Sequence, residues 1–418
     1  MDLLIDMFKN LVSQVGYQII GRVVMAALGV FVTAFLSRYL GVNDFGTFNF
    51  LLTVAYFSFL CADYGLQTLI VRDIASNKNI AKAVGTFLSV RLILSLSVLA
   101  ILIAATVFLP YSNSVKHALM VIGIAECLNI LNGVFHGVFQ GKVVFGRLTL
   151  IMITTSVVQA ILMLGGVFLN APFLYFAYAH MLAVALSTVM SWIVAKDVIV
   201  KPIEFNFQRT SFIKTLQRGY PFAMGLLVSV AYFRADTLIL GYYFDPQKFP
   251  DVGLYTLAYK PFEVVVVVGG YMSQTLYPLF VPLISSVTLV MENKRYLKYS
   301  YALAIGAALF LYVGAPYFVL LLGGAQYAFS VIPIKILALA AGITILSGYF
   351  GALALAGGKE KKLMMYGACA LLVNIILNIW WVPQGSYIAT SWATVITQSI
   401  IMCGNAYAAW EVLKQHND

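Results

Sequence analysis

Residues Gly219–Phe280 read GYPFAMGLLVSVAYFRADTLILGYYFDPQKFPDVGLYTLAYKPFEVVVVVGGYMSQTLYPLF. Two apolar runs flank the polar turn Asp245-Pro246-Gln247-Lys248, and each is long enough to cross a bilayer, whose hydrocarbon core takes ~20 helical residues. Inside the runs stand Arg234, Asp236, Lys260 and Glu263. A charge at the bilayer centre costs ~2.5–3.5 kcal/mol on insertion scales, so such a group faces a partner or a task. The hairpin therefore decides the class: helices in lipid that carry buried charge.

Working outward, the whole chain has the same character. Its 418 residues are 61% hydrophobic and 10% charged, with a mean hydropathy of +0.91, whereas soluble domains carry roughly 25% charged residues. About twelve apolar spans are expected, near 12–37, 45–66, 84–109, 116–138, 148–169, 173–195, 220–243, 253–281, 300–322, 331–356, 363–382 and 387–410. The net charge of +10 does not point to nucleic acid, because the Lys and Arg residues lie between the apolar runs and not on one basic face. Cys61, Cys127, Cys369 and Cys403 fall within or beside spans without paired spacing, which reads as small buried hydrophobes. The first apolar run is too long for a signal-peptide core and has no small-residue cleavage pattern behind it, so no cleavable leader is expected.

The loops alternate in charge. One set, with the termini, holds 18 of the 26 Lys and Arg residues, among them Arg72, Lys142, Arg147, Lys196, Lys201, Lys294 and Lys359. The other set holds Arg38, Lys116, Lys248 and Lys335. The positive-inside rule places the basic loops and both termini in the cytoplasm. The longest basic loop carries an amphipathic stretch, Phe207 to Leu216, expected to lie along the interface as a linker. It divides the chain into an N-terminal six-helix lobe (1–195), a cytoplasmic basic linker (196–219) and a C-terminal six-helix lobe (220–418).

The two lobes repeat each other. Tyr39-Leu40 precedes Asp44-Phe45-Gly46-Thr47-Phe48 in the first, and Tyr243-Phe244 precedes Asp251-Val252-Gly253-Leu254-Tyr255 in the second. The offset is 204 residues before the turn and 207 after it, which marks a parallel internal duplication with a three-residue insertion.

Polar groups inside spans mark candidate sites. Gln14, Gln18 and Arg22 share one helical face; Asn49, Thr53 and Tyr56 share another; Glu126, Asn129 and Asn132 lie in span four. Several have bland readings. Lys260 and Glu263, three apart, are as well placed to neutralise each other as to hold a ligand. Glu126 is a candidate mate for Arg22 or Arg91. Asn374 and Asn378 read as interhelical glue, and Gly133, Gly137 and Gly141 as a packing ridge. Arg234 and Asp236, two apart, do not face each other, so each needs a partner elsewhere. The basic residues fall at graded depths: Arg91 in the cytoplasmic third, Arg22 near the middle, Arg234 slightly outward, Lys260 in the outer third and Arg38 at the edge. Facing one cavity, they form a ladder for an anionic passenger such as a phosphate. The chain has no P-loop and no histidine spacing for a metal, so neither a cofactor nor an enzyme site is expected.

With these residues noted, the chain resembles the Wzx-like polysaccharide-export flippases of the multidrug/oligosaccharidyl-lipid/polysaccharide exporter superfamily. The resemblance rests on Arg38-Tyr39-Leu40-Gly41 with Asp44-Phe45-Gly46, Ala62-Asp63-Tyr64-Gly65-Leu66 leading to Val71-Arg72-Asp73-Ile74-Ala75, Phe139-Gln140-Gly141, Arg234-Ala235-Asp236, and Val252-Gly253-Leu254-Tyr255 through Lys260. It implies an all-α polytopic membrane protein with two pseudo-symmetric six-helix lobes in a V around a central cationic cavity. It implies alternating access for an undecaprenyl-diphosphate-linked oligosaccharide in a bacterial inner membrane, with a polysaccharide polymerase and a chain-length regulator as further partners. On this expectation Arg22, Arg234 and Lys260, with Arg91 and Arg38, bind the diphosphate. Gln14, Gln18, Asn49, Thr53, Asp236, Glu263 and Glu126 are the cavity-polar or ion-coupling set. Related lipid II flippases carry cavity arginines on the first helix, which Arg22 matches in kind. The rival readings are a cation-coupled drug or metabolite antiporter centred on Asp236 and Glu263, and a polytopic glycosyltransferase or polymerase, against which the lack of a large polar loop counts.

Overall fold

In lipid every backbone N–H and C=O must be satisfied within the protein, so a chain this apolar forms helices. The computed structural model describes residues 2–76, 79–243, 249–284 and 289–417, with side chains described except over 2–20, 225, 227–234, 290 and 415–417. Among the described residues there are eleven α-helices and no strand: α1 (Asp2–Asp63), α2 (Leu66–Ala75), α3 (Ile80–Phe108), α4 (Asn113–Gly141), α5 (Phe145–Phe168), α6 (Phe173–Ile199), α7 (Arg209–Tyr243), α8 (Pro250–Leu283), α9 (Leu289–Leu322), α10 (Val331–Ala356) and α11 (Glu360–Asn417). A short 3-10 turn, Ala325–Ser330, precedes α10.

Local chemistry sets the ends. The Asn79 side chain accepts the Lys82 N–H at 3.3 Å to start α3, and Ser112 accepts the Val115 N–H at 3.4 Å to start α4. Pro250 opens α8 at a position whose N–H would have no helical partner. Two helices bend sharply inside: α1 at Gly41 (φ 72°, ψ 177°) and α11 at Ser386 (φ 54°, ψ −143°).

Nine helices among the described residues are long and apolar enough to cross a membrane. Two of them, Gly21–Asp63 and Glu360–Lys414, contain those bends and are long enough for two crossings each. The 35-residue α7 is not among those nine; it covers the apolar run near 220–243, one of the twelve that the hydropathy pattern leads one to expect. Two features differ from the sequence reading. The basic loop after span two contains a further helix, α2, too short to register as a span. The amphipathic stretch from Phe207 to Leu216 runs into the start of α7, where Phe212 and Leu216 pack against buried core, while Phe207 precedes the helix and is exposed.

The chain divides into two compact units, Met1–Leu40 with Phe50–Val230, and Gly41–Asn49 with Ala231–Asp418. The first is built around Leu69, Ile70, Val84, Phe87, Val134, Val138 and Phe139, where α2, α3 and α4 meet. The second has one buried cluster around Phe262, Leu311, Leu337 and Ile345, and another around Phe280, Tyr349, Leu353 and Ala408. Large apolar side chains such as Phe31, Ile101, Phe310 and Trp380 are exposed, as suits helices whose solvent is hydrocarbon. Association in lipid rests on close packing and interhelical hydrogen bonds, the latter worth on average ~0.6 kcal/mol each. The ridge on α4 fits that rule. A Cβ on Gly137 would fall 2.3 Å from Ile70 Cγ2, and one on Gly141 2.8 Å from Ile74 Cβ, so the ridge seats α2.

Candidate functional site

The first unit contains a buried polar cluster around Arg91, which is 1% exposed. Its guanidinium forms an ion pair with Asp63 at the end of α1. Nη1 donates to the Ile130 carbonyl of α4 at 2.9 Å and to Gln67 Oε1 of α2 at 3.4 Å. Gly133 makes room for this: a Cβ there would lie 2.4 Å from Arg91 Nη1. The planar fork of arginine reaches three elements at once, which the point charge of a lysine does not.

Arg91 and Asp63 line a cavity of about 160 Å³ together with Tyr56, Glu126, Asn129, Gly133 and Leu226. Glu126 is 7% exposed and accepts from Asn129 Nδ2 at 3.2 Å. The carboxylate partner of Arg91 is thus Asp63, while Glu126 faces the same cavity from α4. One guanidinium stands there against two carboxylates.

The second unit holds another cluster. Asp236, 3% exposed, accepts the Tyr255 hydroxyl at 2.5 Å and the Thr237 N–H at 2.7 Å. Tyr255 also lies 3.3 Å from Thr394 Oγ1 on α11. Asp236 therefore has its partner on α8. One turn along α8, Lys260 Nζ lies 3.1 Å from Glu263 Oε2, each about a third exposed. Asp236, Tyr255, Tyr259, Lys260 and Glu263 together line a narrow pocket. On α11, Asn374 Nδ2 donates to Thr397 Oγ1 at 3.4 Å and so joins the segments on either side of the Ser386 bend, whereas Asn378 Nδ2 donates to the Asn374 carbonyl of its own segment at 2.9 Å.

Of the residues singled out from the sequence, Arg91 and Glu126 come together in one cavity, and Asp236, Lys260 and Glu263 in another. Arg22 and Arg38 lie on exposed faces of α1 and do not line the Arg91 cavity. Asn49 donates to the Phe45 carbonyl of its own helix at 2.8 Å, and Thr53 is buried. The side chains of Gln14, Gln18 and Arg234 lie outside the described residues. Asp63 and Tyr255 were not picked out as site residues. An acid at the end of an apolar span and a tyrosine one turn before Tyr259-Lys260 were the available signals.

Solved structures share this all-helical fold. The chain is similar to a structure described as lipid II flippase MurJ, inward closed conformation (TM-score 0.71, 14% identity, 96% of this chain and 92% of that one). It is also similar to an inward-facing multidrug resistance MATE family transporter of the MOP superfamily (TM-score 0.70, 14% identity, 94% of each chain). A third likeness is to a MOP superfamily transporter from Pyrococcus furiosus (TM-score 0.60, 15% identity, 98% and 96%). At these identities the likeness establishes the fold alone. No curated protein sequence matches significantly. A family model described as polysaccharide biosynthesis protein matches residues 11–284, about two thirds of the chain, and the chain belongs to that family.

Proposed function

We propose that this protein is a flippase that moves an undecaprenyl-diphosphate-linked oligosaccharide repeat unit from the cytoplasmic to the outer leaflet of a bacterial inner membrane, by alternating access, during surface polysaccharide biosynthesis. The observation that carries the reading is membership of a polysaccharide biosynthesis family by a chain whose fold is that of transporters, a lipid II flippase among them. A polysaccharide pathway needs its lipid-linked intermediate carried across the membrane, and a polytopic helical bundle can supply that step.

In this reading Arg22, Arg234 and Lys260 hold the diphosphate, with Arg38 beside them, while Arg91, expected from the sequence to join them, is engaged by Asp63, Gln67 and the Ile130 carbonyl and serves its own cavity. A diphosphate in a low-dielectric site requires several charge-assisted donors. The polar faces that carry Gln14, Gln18, Asn49 and Thr53 accommodate the glycan, and the polyprenyl chain stays in lipid. Glu126, with the neighbouring Asp63–Arg91 pair, supplies ion coupling in the first unit; Asp236 and Glu263 supply the acidic groups of the second. The basic loops and both termini lie in the cytoplasm. A polysaccharide polymerase and a chain-length regulator receive the product, for O-antigen or a similar lipopolysaccharide-borne polymer.

Arg234→Ala tests the assignment. The expected result is loss of surface polysaccharide with a normal amount of folded protein in the membrane. Normal export from that variant would overturn it.

A further inference from the structure

A second cavity lies in the first unit, shares no lining residue with the Arg91 cavity, and is not used by the proposed passenger. It encloses about 760 Å³ and is walled by α3, α4, α6 and residues 200–205. Leu92 of α3, Leu131 and Phe135 of α4, and Val189 of α6 form its apolar sides. Val189, Trp192 and Phe205 are exposed, so the groove is open to the surroundings. Its hydroxyl, Thr188, is already engaged with the Val184 and Leu128 carbonyls at 2.9 and 3.3 Å. Such walls offer a sugar nothing to bond and suit a hydrocarbon chain.

One end of the groove is built differently. Lys196, in the last turn of α6, places Nζ 3.7 Å from the Trp192 ring centroid, and Lys201 follows just past the helix. Between them Val200 adopts φ 62°, a left-handed conformation that a β-branched residue rarely takes and that functional clamps often hold. Val200 turns the chain back across the groove mouth. The returning strap is pinned to α3: the Asn206 N–H donates to Ser89 Oγ at 3.0 Å, and the Glu204 carbonyl sits where a Cβ on Gly85 would be. A strained, anchored strap that sets two lysines and a tryptophan over an apolar groove has the form of a headgroup site above a chain site.

We propose that this groove holds one anionic phospholipid of the surrounding leaflet, with an acyl chain against Leu92, Leu131, Phe135 and Val189 and the phosphate at Lys196 and Lys201. Charge complementarity selects an anionic lipid over a zwitterionic one. The volume, within the ~300–1,000 Å³ of single-ligand pockets, suits a membrane diacyl lipid better than a long polyprenyl chain with a bulky glycan. The site shares its α3 and α4 walls with the Arg91 cavity, so its occupant braces the helices that carry that cluster.

Native mass spectrometry of the purified full-length protein tests this, with phosphatidylglycerol, phosphatidylcholine and undecaprenyl phosphate as probes. Phosphatidylglycerol is expected to remain bound at one molecule per chain in preference to phosphatidylcholine. Lys196→Ala with Lys201→Ala, both at exposed positions, is expected to weaken retention about twenty-five-fold, at roughly fivefold per lysine near a membrane surface. Leu131→Trp, which fills the groove, is expected to remove the bound lipid while the lysines remain. Equal retention of both phospholipids, or phosphatidylglycerol binding untouched by the lysine pair, would overturn the proposal. Preferential retention of undecaprenyl phosphate would also overturn it and assign the groove to the passenger's chain.

Discussion

Gly46 and Gly253 meet in a reciprocal contact. A Cβ on Gly46 would fall 2.0 Å from the Phe249 carbonyl oxygen, four residues before Gly253, and a Cβ on Gly253 would fall 2.2 Å from the Val42 carbonyl oxygen, four residues before Gly46. The two glycines are also the positions that the repeated sequence motif pairs, 207 residues apart. The backbone around each thus packs directly on that of the other. Only a residue without a side chain allows that approach. Gly46→Ala and Gly253→Ala are each expected to lower stability by about 1–3 kcal/mol, the cost of forcing atoms into a filled site. Because they touch, their effects will not add. Gly29→Ala, where nothing lies within 4 Å, is the control and should leave thermal unfolding in detergent unchanged or slightly raised.

Arg91 is expected to behave as part of the scaffold of its cavity. Removing one partner of a buried ion pair costs about 3–5 kcal/mol, because the other charge is left without its mate. Arg91→Ala should therefore reduce folded protein in the membrane, and Arg91→Lys should not restore it, since a lysine cannot reach Asp63, Gln67 and the Ile130 carbonyl together. Replacing both charges, with Arg91→Met and Asp63→Leu, should recover much of the loss. Membrane yield and the unfolding midpoint in detergent are the readouts.

The long apolar helices were legible in the residues because apolar runs leave a linear signal: the run 84–109 lies close to α3 at Ile80–Phe108. The partners of the buried charges were not legible. Asp63 and Arg91 are 28 positions apart, and Arg218 meets Asp73 at 2.5 Å across 145 positions. Nothing in local spacing records which helices adjoin, so the sequence offers Glu126 as a mate for Arg91 where the structure has Asp63. Lys260 and Glu263 were legible because helical geometry alone brings i and i+3 together. Helix α2 escaped because ten residues do not make a span.

Tyr255 and Asp236 join α8 to α7 through one short hydrogen bond away from water. Hydrogen bonds to charged groups contribute about 1.5–3 kcal/mol, so Tyr255→Phe should lower stability by that order. The same change made on top of Asp236→Asn should cost less, and a double-mutant cycle on unfolding midpoints measures the difference.

Lys260 and Glu263 separate stability from transport. Each is about a third exposed, and pairs of that kind contribute roughly 0–1 kcal/mol. Glu263→Gln should leave unfolding nearly unchanged while it removes the acid that competes for the Lys260 ammonium. If Lys260 takes part in holding the diphosphate, export of surface polysaccharide will change in this variant although the protein remains intact. Lys260→Ala should then lower export, with folded protein again at its normal level, as read by membrane immunoblot alongside polysaccharide staining.

The central claim is transport of a lipid-linked oligosaccharide, and reconstitution measures it most directly. Proteoliposomes carrying the purified protein and a fluorescent undecaprenyl-diphosphate oligosaccharide report the fraction of label that becomes accessible to a membrane-impermeant quencher. The expected result is protein-dependent translocation that Arg234→Ala abolishes and that a lipid-linked monophosphate without sugar does not reproduce. Equal rates in liposomes with and without the protein, or an unimpaired Arg234→Ala variant, would contradict the account.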